Sequence, residues 1–277
     1  MESDNHNDLT SLCANLTLAD VDDEGIAIRL PNVPIAEPER ESEFFAVGRL
    51  VMTKLVKFGF FQDTMAAIWQ PAMGVTMQQI QSQRYLIRFY HEADLVRILS
   101  DGPWSFEQSL LIMRRVMPGE DPEVVPLDLA DFWVQIHSLP TGLRSAVVVS
   151  AIGSFLGTLV MVDERNFDGT MRTYYRVRVT IDATKPLKKQ MKLKKDNGVW
   201  VLVDFRYERL PTFCFVCGII GHGDRVCPKI VQGVDLANGK PYGAWLRAGA
   251  RRTVPSVGQR WVGPEVDAER SYGRRRV

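Results

Sequence analysis

The chain has 277 residues, of which 45% are hydrophobic and 24% charged, an ordinary globular composition that can supply one large or two small cores. Its four cysteines are too few for the disulfide framework that stabilises small secreted domains. The formal net charge of +1 conceals an asymmetry, because residues 1–43 hold eleven acids and two bases whereas residues 172–277 hold nine acids and twenty-two bases.

The N-terminal segment, residues 1–43, is predicted to be disordered because it is acidic, contains three closely spaced prolines and lacks periodic hydrophobicity. It opens with MESDNHNDLT, which has neither the basic start nor the apolar core of a signal peptide. We therefore expect an intracellular protein, in the nucleus or the cytoplasm, with the nucleus favoured by basic clusters near the C-terminus.

Residues 44–120 are predicted to form an α+β domain. Strand and helix patterns alternate as FFAVGRLV (44–51, strand), QDTMAAIWQ (62–70, helix), GVTMQQI (74–80, strand), RYLIRFY (84–90, strand), HEADLVRILS (91–100, helix) and SLLIMRRVM (109–117, strand). This βαββαβ order is that of ferredoxin-like domains and hence of RNA-recognition-motif domains. The third strand lacks the glycine of the RNA-recognition signature, so we expect the domain to serve self-association or protein contacts rather than base stacking.

Residues 121–210 are predicted to form a small α+β block in which one helix crosses a sheet. The helix pattern covers 143–157, and the strand patterns cover 131–140, 158–162, 174–182 and 199–207. The apolar run at 146–162 is interrupted by glycines and is shorter than the ~20 residues of a membrane span, so we expect a buried helix and strand and no membrane partner. Residues 232–277 are predicted to be a basic flexible tail.

Cysteine and histidine residues cluster in one short segment, placed at 211–231. Cys214, Cys217, His222 and Cys227 follow the spacing C-x2-C-x4-H-x4-C, and three thiolates with one imidazole complete a tetrahedral shell for one structural Zn²⁺. Such a shell leaves no position for a substrate water. The alternatives are a redox Cys-x-x-C pair, which needs neither His222 nor Cys227, and unrelated buried thiols.

The segment CFVCGIIGHGDRVC resembles the CCHC zinc knuckle of retroviral nucleocapsid and retroelement proteins. Five longer segments recur in the same order in one plant family: RYLIRFYHEADLVRILSDGPWSFEQSLLIMRR, DFWVQIHSLP, RVRVTIDATKPLKK, YERLPTFCFVCGIIGH and YGAWLRA. That family joins an RNA-recognition-motif-like domain of unknown function to a CCHC knuckle, and is similar to the first-open-reading-frame protein of plant LINE-type non-LTR retrotransposons. The resemblance covers roughly residues 44–250 and implies nucleic-acid and zinc binding, without an established enzymatic activity. The chain departs from the family at Ala244, where proline is usual, and carries Ile219 and Ile220 where retroviral knuckles are often basic.

In knuckles of this type an aromatic residue stacks on an unpaired base. Phe215 is the candidate here, with Ile220 or Val226 forming the other side of the platform. The alternative is that Phe215 and Ile220 pack back onto the sheet.

Basic residues are expected to supply most of the affinity, by neutralising phosphates and releasing counterions. The candidates are Arg176 and Arg178 on one face of a strand, Arg225 and Lys229 in the knuckle, and Lys185, Lys188, Lys189, Lys192, Lys194 and Lys195 in the segment KPLKKQMKLKK. The alternative is a solvating charged face.

Two hypotheses for function remain. The favoured one is a zinc-dependent, retrotransposon-derived protein that binds single-stranded RNA or DNA, and the other is a domesticated interaction or regulatory factor whose knuckle is only structural. We expect no enzymatic activity, because the sequence contains no P-loop, nucleophile elbow or convergent catalytic site. Trp69, Trp104 and Trp133 are predicted to be core anchors.

Overall fold

A computed structural model describes residues 44–52, 54–168, 173–194, 198–237 and 239–249. The predictions for the acidic head, for Lys195 and for the tail beyond residue 249 lie outside these residues. The strands are β1 (Phe44–Val51), β2 (Val75–Gln81), β3 (Arg84–Phe89), β4 (Trp104–Phe106), β5 (Ser109–Arg115), β6 (Leu129–His137), β7 (Thr158–Val162), β8 (Tyr174–Asp182), β9 (Gln190–Lys194) and β10 (Trp200–Tyr207). The α-helices are α1 (Phe58–Trp69), α2 (Glu92–Ser100), α3 (Ala146–Leu156) and α4 (Pro228–Val231).

The first sheet has the antiparallel order β2-β3-β1-β5-β4, which is the ferredoxin-like arrangement with one short strand added at the edge. Helices α1 and α2 cover one face, where Trp69 and Leu95 pack against β1 and β3. The α+β, ferredoxin-like prediction is confirmed. The sequence did not indicate β4, because its hairpin turns through Glu107 and Gln108, which have positive φ without being the usual Asn-Gly or Asp-Gly.

The other face of the first sheet is covered at its centre. Val47, Leu110 and Ile112 belong to the same buried cluster as Val125 and Leu127 in the connection to β6. The surface that RNA-recognition motifs use for base stacking is therefore partly occupied by the chain itself. The expectation that the first domain does not stack bases stays a prediction.

Two arginines hold the segment between β5 and β6 (116–128) against this face of the first sheet. Arg49 donates to Leu127 O at 2.6 Å, and Arg84 donates to Pro122 O at 2.7 Å and to Val125 O at 2.5 Å. Burial, with the charge of Arg49, lowers the pKa of Arg84, which is consistent with a guanidinium taken out of water.

The second sheet has the antiparallel order β7-β8-β6-β10-β9, and α3 packs on one of its faces. Strand alternation buries Phe132, Val177 and Phe205 on that face, as the predicted helix-on-sheet block requires. Strand β9 was not indicated by the sequence, because its lysines alternate with only two half-buried residues, Met191 and Leu193.

The segment after the knuckle packs on the second sheet. Leu246 is fully buried, Ala248 N donates to Tyr207 O at 2.9 Å, and Arg247 forms a parallel bridge with Tyr207. The guanidinium of Arg247 donates to Leu210 O and Pro211 O. The prediction of a flexible tail from residue 232 is therefore wrong for this segment, whose apolar and backbone contacts are with residues about 40 positions earlier.

Gly157→Ala should destabilise the second sheet. A Cβ at Gly157 would lie 2.2 Å from the backbone oxygen of Thr180, and a backbone atom cannot move aside as a side chain can. We expect a loss of about 1–3 kcal/mol in the free energy of unfolding, measured by urea titration. Gly142→Ala is the matched control, since nothing lies within 4 Å of its Cβ position, and equal midpoints for the two variants would contradict the prediction.

Candidate zinc centre and nucleic-acid interface

The four predicted ligands converge. The Sγ atoms of Cys214, Cys217 and Cys227 and a ring nitrogen of His222 all lie within 4.8 Å of one another, and Cys217 Sγ is 3.3 Å from His222 Nε2. A tetrahedral zinc site with bonds of about 2.0–2.3 Å would place its donors about 3.5–3.8 Å apart. The donor set and its closeness therefore fit Zn²⁺, and the three cysteines are buried as a structural site requires.

Backbone donors support the first thiolate. The amides of Val216 and Cys217 point at Cys214 Sγ at 3.4 and 3.5 Å, and the turn closes through Gly218 N to Cys214 O at 2.8 Å. Such N–H···S contacts favour the ionised thiol, the form that binds metal.

The pKa values of Cys214 and Cys227 are shifted in opposite directions. Burial raises the pKa of Cys214 to about 12. Burial also opposes ionisation of Cys227, but hydrogen bonds from His222, the Lys229 backbone and the neighbouring thiols outweigh it and lower its pKa to about 7. A bound divalent cation would stabilise all three thiolates and release their protons.

Two of the three glycines between the zinc ligands are required by the backbone. Gly218 and Gly221 have φ of 77° and 101°, values that only glycine adopts freely. The Tyr242 ring covers Gly218, and Val51 of β1 lies against Gly221, so that a Cβ at either glycine would approach these side chains to 2.4 Å. These two glycines therefore allow the chain to double back around the ligands.

Asp224 stabilises the knuckle in a way that the spacing of the ligands did not indicate. Its Oδ1 accepts from Phe215 N at 2.6 Å and its Oδ2 accepts from Lys240 Nζ at 2.6 Å. Burial opposes its ionisation, but Lys240 and the Phe215 amide lower its pKa overall. Asp224 thus ties the first turn of the knuckle to the segment that follows it.

The knuckle is part of the protein core rather than an appendage on the last strand. Phe213 and Ile220 form an antiparallel bridge, and both are buried in the same cluster as the second sheet. Thr212 N also donates to the backbone oxygen of Gln108, in the turn between β4 and β5 of the first sheet, at 2.7 Å. The knuckle therefore contacts residues of both sheets.

The predicted base platform is only partly available. Ile220 is buried, so its assignment to the platform is wrong, and the alternative that it packs back onto the sheet holds. Phe215 is half-buried, with its ring centroid 5.0 Å from that of Phe213. Val226 is exposed beside the ligands. Phe215 and Val226 therefore remain as the candidate stacking residues of the knuckle.

Arg176 does not face solvent as a free phosphate ligand. Its guanidinium lies 3.8 Å from the ring centroid of Trp133 and pairs with Asp163 at 3.1 Å and Glu208 at 2.7 Å. The prediction that Arg176 contacts phosphate is corrected, because two carboxylates already neutralise it. Trp133 is likewise not a core anchor of the kind predicted, since it stacks on this arginine on the polar face of the sheet.

The prediction that Arg178 contacts phosphate is also corrected, because protein groups already occupy its guanidinium. It shares the face of Arg176, as strand alternation predicted, but it is buried, donates to Ser100 O and pairs with Asp131 at 3.5 Å. Of the other tryptophans, Trp69 is buried and Trp104 half-buried in the first core, as predicted.

The lysines nearest the knuckle are partly engaged. Lys185 pairs with Asp182 at 2.9 Å, Lys188 donates to a backbone carbonyl at the end of α3, and Lys189 donates to Pro241 O at 3.1 Å. The side chains of Lys185 and Lys188 are exposed. An ammonium has three donors, so these contacts leave capacity for a phosphate.

The remaining basic candidates are exposed. Lys192 and Lys194 project from β9, and Arg225 and Lys229 flank the last zinc ligand. Two exposed tryptophans among the described residues were not candidates in the sequence analysis: Trp200 at the start of β10 and Trp245 after the knuckle. The sequence pattern could have indicated that Trp200 is exposed, because Trp200 alternates with the core residues of β10.

Among the described residues, none of the helices has the length and apolar character needed to cross a membrane.

Residues 39–124 match the family model of a domain of unknown function (DUF4283), and residues 181–229 match that of a zinc knuckle. Among solved structures, the chain is similar to "Sex-lethal RNA recognition domains 1 and 2 from Drosophila melanogaster", at 13% identity over 50% of this chain and 86% of that one, with a TM-score of 0.22. No curated protein matches. The two matched stretches follow one another along the chain, and the second contains the four converging ligands.

Proposed function

We propose that this chain is a zinc-dependent nucleic-acid-binding protein of retrotransposon origin, which binds single-stranded RNA or DNA and has no catalytic activity. One Zn²⁺ would be held by Cys214, Cys217, His222 and Cys227. The observation that carries the proposal is the junction of the knuckle with the basic segment, where Leu187 N donates to Gly218 O at 2.9 Å. This bond sets Lys188 and Lys189 beside the metal site, and Lys192 and Lys194 follow them along β9.

In this proposal the two parts contribute differently. The zinc orders a loop that presents Phe215 and Val226 to an unpaired base, and stacking on one aromatic contributes ~1–3 kcal/mol. The exposed lysines bind phosphates with little sequence preference. Sequence tolerance and salt sensitivity are therefore the expected signatures.

The second candidate is an interaction factor in which zinc is only structural. It is favoured by the burial of Phe213 and Ile220, which makes the knuckle part of the core. Such a protein would make few phosphate contacts, so the salt dependence of RNA binding separates the two candidates.

The test is a salt series with Lys192→Glu/Lys194→Glu. Zinc-loaded protein is titrated into labelled single-stranded RNA, and the slope of log K against log salt is measured. We expect a steep slope for the wild type. In the variant the slope should be shallower by about 1.4, because two phosphate-binding ammonium groups have been removed. Binding should also weaken.

The matched control is Lys54→Glu/Lys57→Glu, which makes the same charge change at exposed positions ahead of α1. It should change affinity much less. Equal effects of the two double variants would leave only a non-specific charge response, and negligible binding of the wild type at low salt would favour the interaction factor.

A further inference from the structure

The outward face at the start of β10 carries an apolar patch that the fold does not use. Trp200 is 61% exposed and Leu202 is 43% exposed, whereas Val203 and Phe205, which alternate with them, are buried in the core. A strand needs a buried side chain at every second position only. Core packing therefore accounts for the valine and the phenylalanine but not for the tryptophan.

Two lysines stand directly opposite these residues. In the antiparallel pair of β9 and β10, Trp200 faces Lys194 and Leu202 faces Lys192, so all four side chains share one face. Lys194 Nζ lies 5.9 Å from the Trp200 ring centroid. The four residues form a surface, here called the β9–β10 platform, with an aromatic plane at one end and two cations beside it.

Protection of the sheet edge explains the two lysines but not the exposed tryptophan. Strand β9 is the last strand of the second sheet, and lysines on an edge strand discourage pairing with another chain. That role would be served better by a polar residue at position 200, since an exposed tryptophan next to an open edge promotes association.

Charge indicates the chemistry of the occupant. Residues 185–203 contain six lysines and one aspartate, so the region around the platform attracts a polyanion rather than a neutral or basic protein surface. An aromatic plane flanked by cations is the combination that single-strand binding proteins use for a base and its phosphates.

We propose that the β9–β10 platform is a second single-strand binding site, in which a base stacks on Trp200 and Leu202 while Lys192 and Lys194 hold the adjacent phosphates. The proposal rests on the proposed function and extends it from one site to two. Trp200 and Tyr207 are the first and last residues of β10, which places Trp200 roughly 23 Å, at the rise of a strand, from the end of β10 that leads into the knuckle. Both sites can be filled together only by a strand of several nucleotides.

The experiment compares Trp200→Ala with the wild type, both zinc-loaded and full-length, on single-stranded RNA of about 12 nucleotides, within the range of site sizes of single-strand binders. Affinity should fall roughly 5- to 100-fold, the loss expected for one stacked base. Trp200→Phe should retain most of the affinity, because it keeps an aromatic plane. Phe60→Ala, at an exposed aromatic on α1, should bind as the wild type does.

Unchanged affinity of Trp200→Ala, with the wild type binding tightly, would overturn this inference and leave the proposed function intact. Absence of wild-type binding at low salt would overturn both. A wild-type dimer that Trp200→Ala converts to monomer without change in RNA affinity would assign the platform to a second copy of the chain. Circular dichroism of each variant excludes loss of fold as the cause.

Discussion

Removing zinc, by chelation or by Cys227→Ser, should unfold the second sheet and not the knuckle alone. Cys227 is fully buried among the other ligands, and the apparent binding free energy of structural zinc in small fingers is about 10–16 kcal/mol. In this chain that energy acts on more than a loop, because Phe213 and Ile220 share a core with β6, β8 and β10.

The measurement is hydrogen exchange of the β10 amides, together with urea unfolding, with and without a chelator. We expect the chelated protein and Cys227→Ser to lose most of the protection in β10 and several kcal/mol of stability. Cys13→Ser, which removes the one cysteine outside the cluster, should behave as the wild type. Protection that disappears only in 211–231 would show that the knuckle folds as an independent appendage.

Within the segment that follows the knuckle, Leu246→Ala should be the truncation that lowers the free energy of unfolding most. The side chain is fully buried in the core of the second sheet, and truncation of a buried leucine costs about 2–5 kcal/mol. The neighbouring backbone is fixed by the Tyr207–Arg247 bridge, so the cavity cannot close easily.

The control lies one residue earlier. Trp245 is 50% exposed, and Trp245→Ala should cost about 0.5 kcal/mol, as surface substitutions generally do. Urea midpoints of the two variants, at equal m-values, decide the matter. Similar small losses in both would mean that the segment detaches without consequence, as the sequence-based picture of a flexible tail requires.

Local features of this protein were predictable from the sequence. The zinc ligands lie within a few residues of one another, so their spacing alone indicated that they meet. The alternation of RVRV correctly placed Arg176 and Arg178 on one face. The βαββαβ order was readable because each element is long and strongly periodic.

Contacts between distant segments were not predictable. The carboxylate of Glu208 that neutralises Arg176 is 32 residues away, and nothing in either stretch indicates the other. The docking of Leu246 depends on a backbone bridge to Tyr207, which leaves no periodic pattern. The burial of Ile220 depends on its bridge to Phe213 and on the core of the second sheet, and the spacing of the zinc ligands indicates neither contact.

The hydrogen bond from Leu187 N to Gly218 O fixes the distance between the lysine segment and the knuckle. Modules joined by a flexible tether bind one after the other, at an effective concentration set by the tether. Here the lysines and the knuckle keep a fixed spacing through the backbone, so no ordering entropy is spent on bringing them together. In the proposed function, a nucleic-acid strand of matching length would therefore contact the lysines and the knuckle in a single binding event.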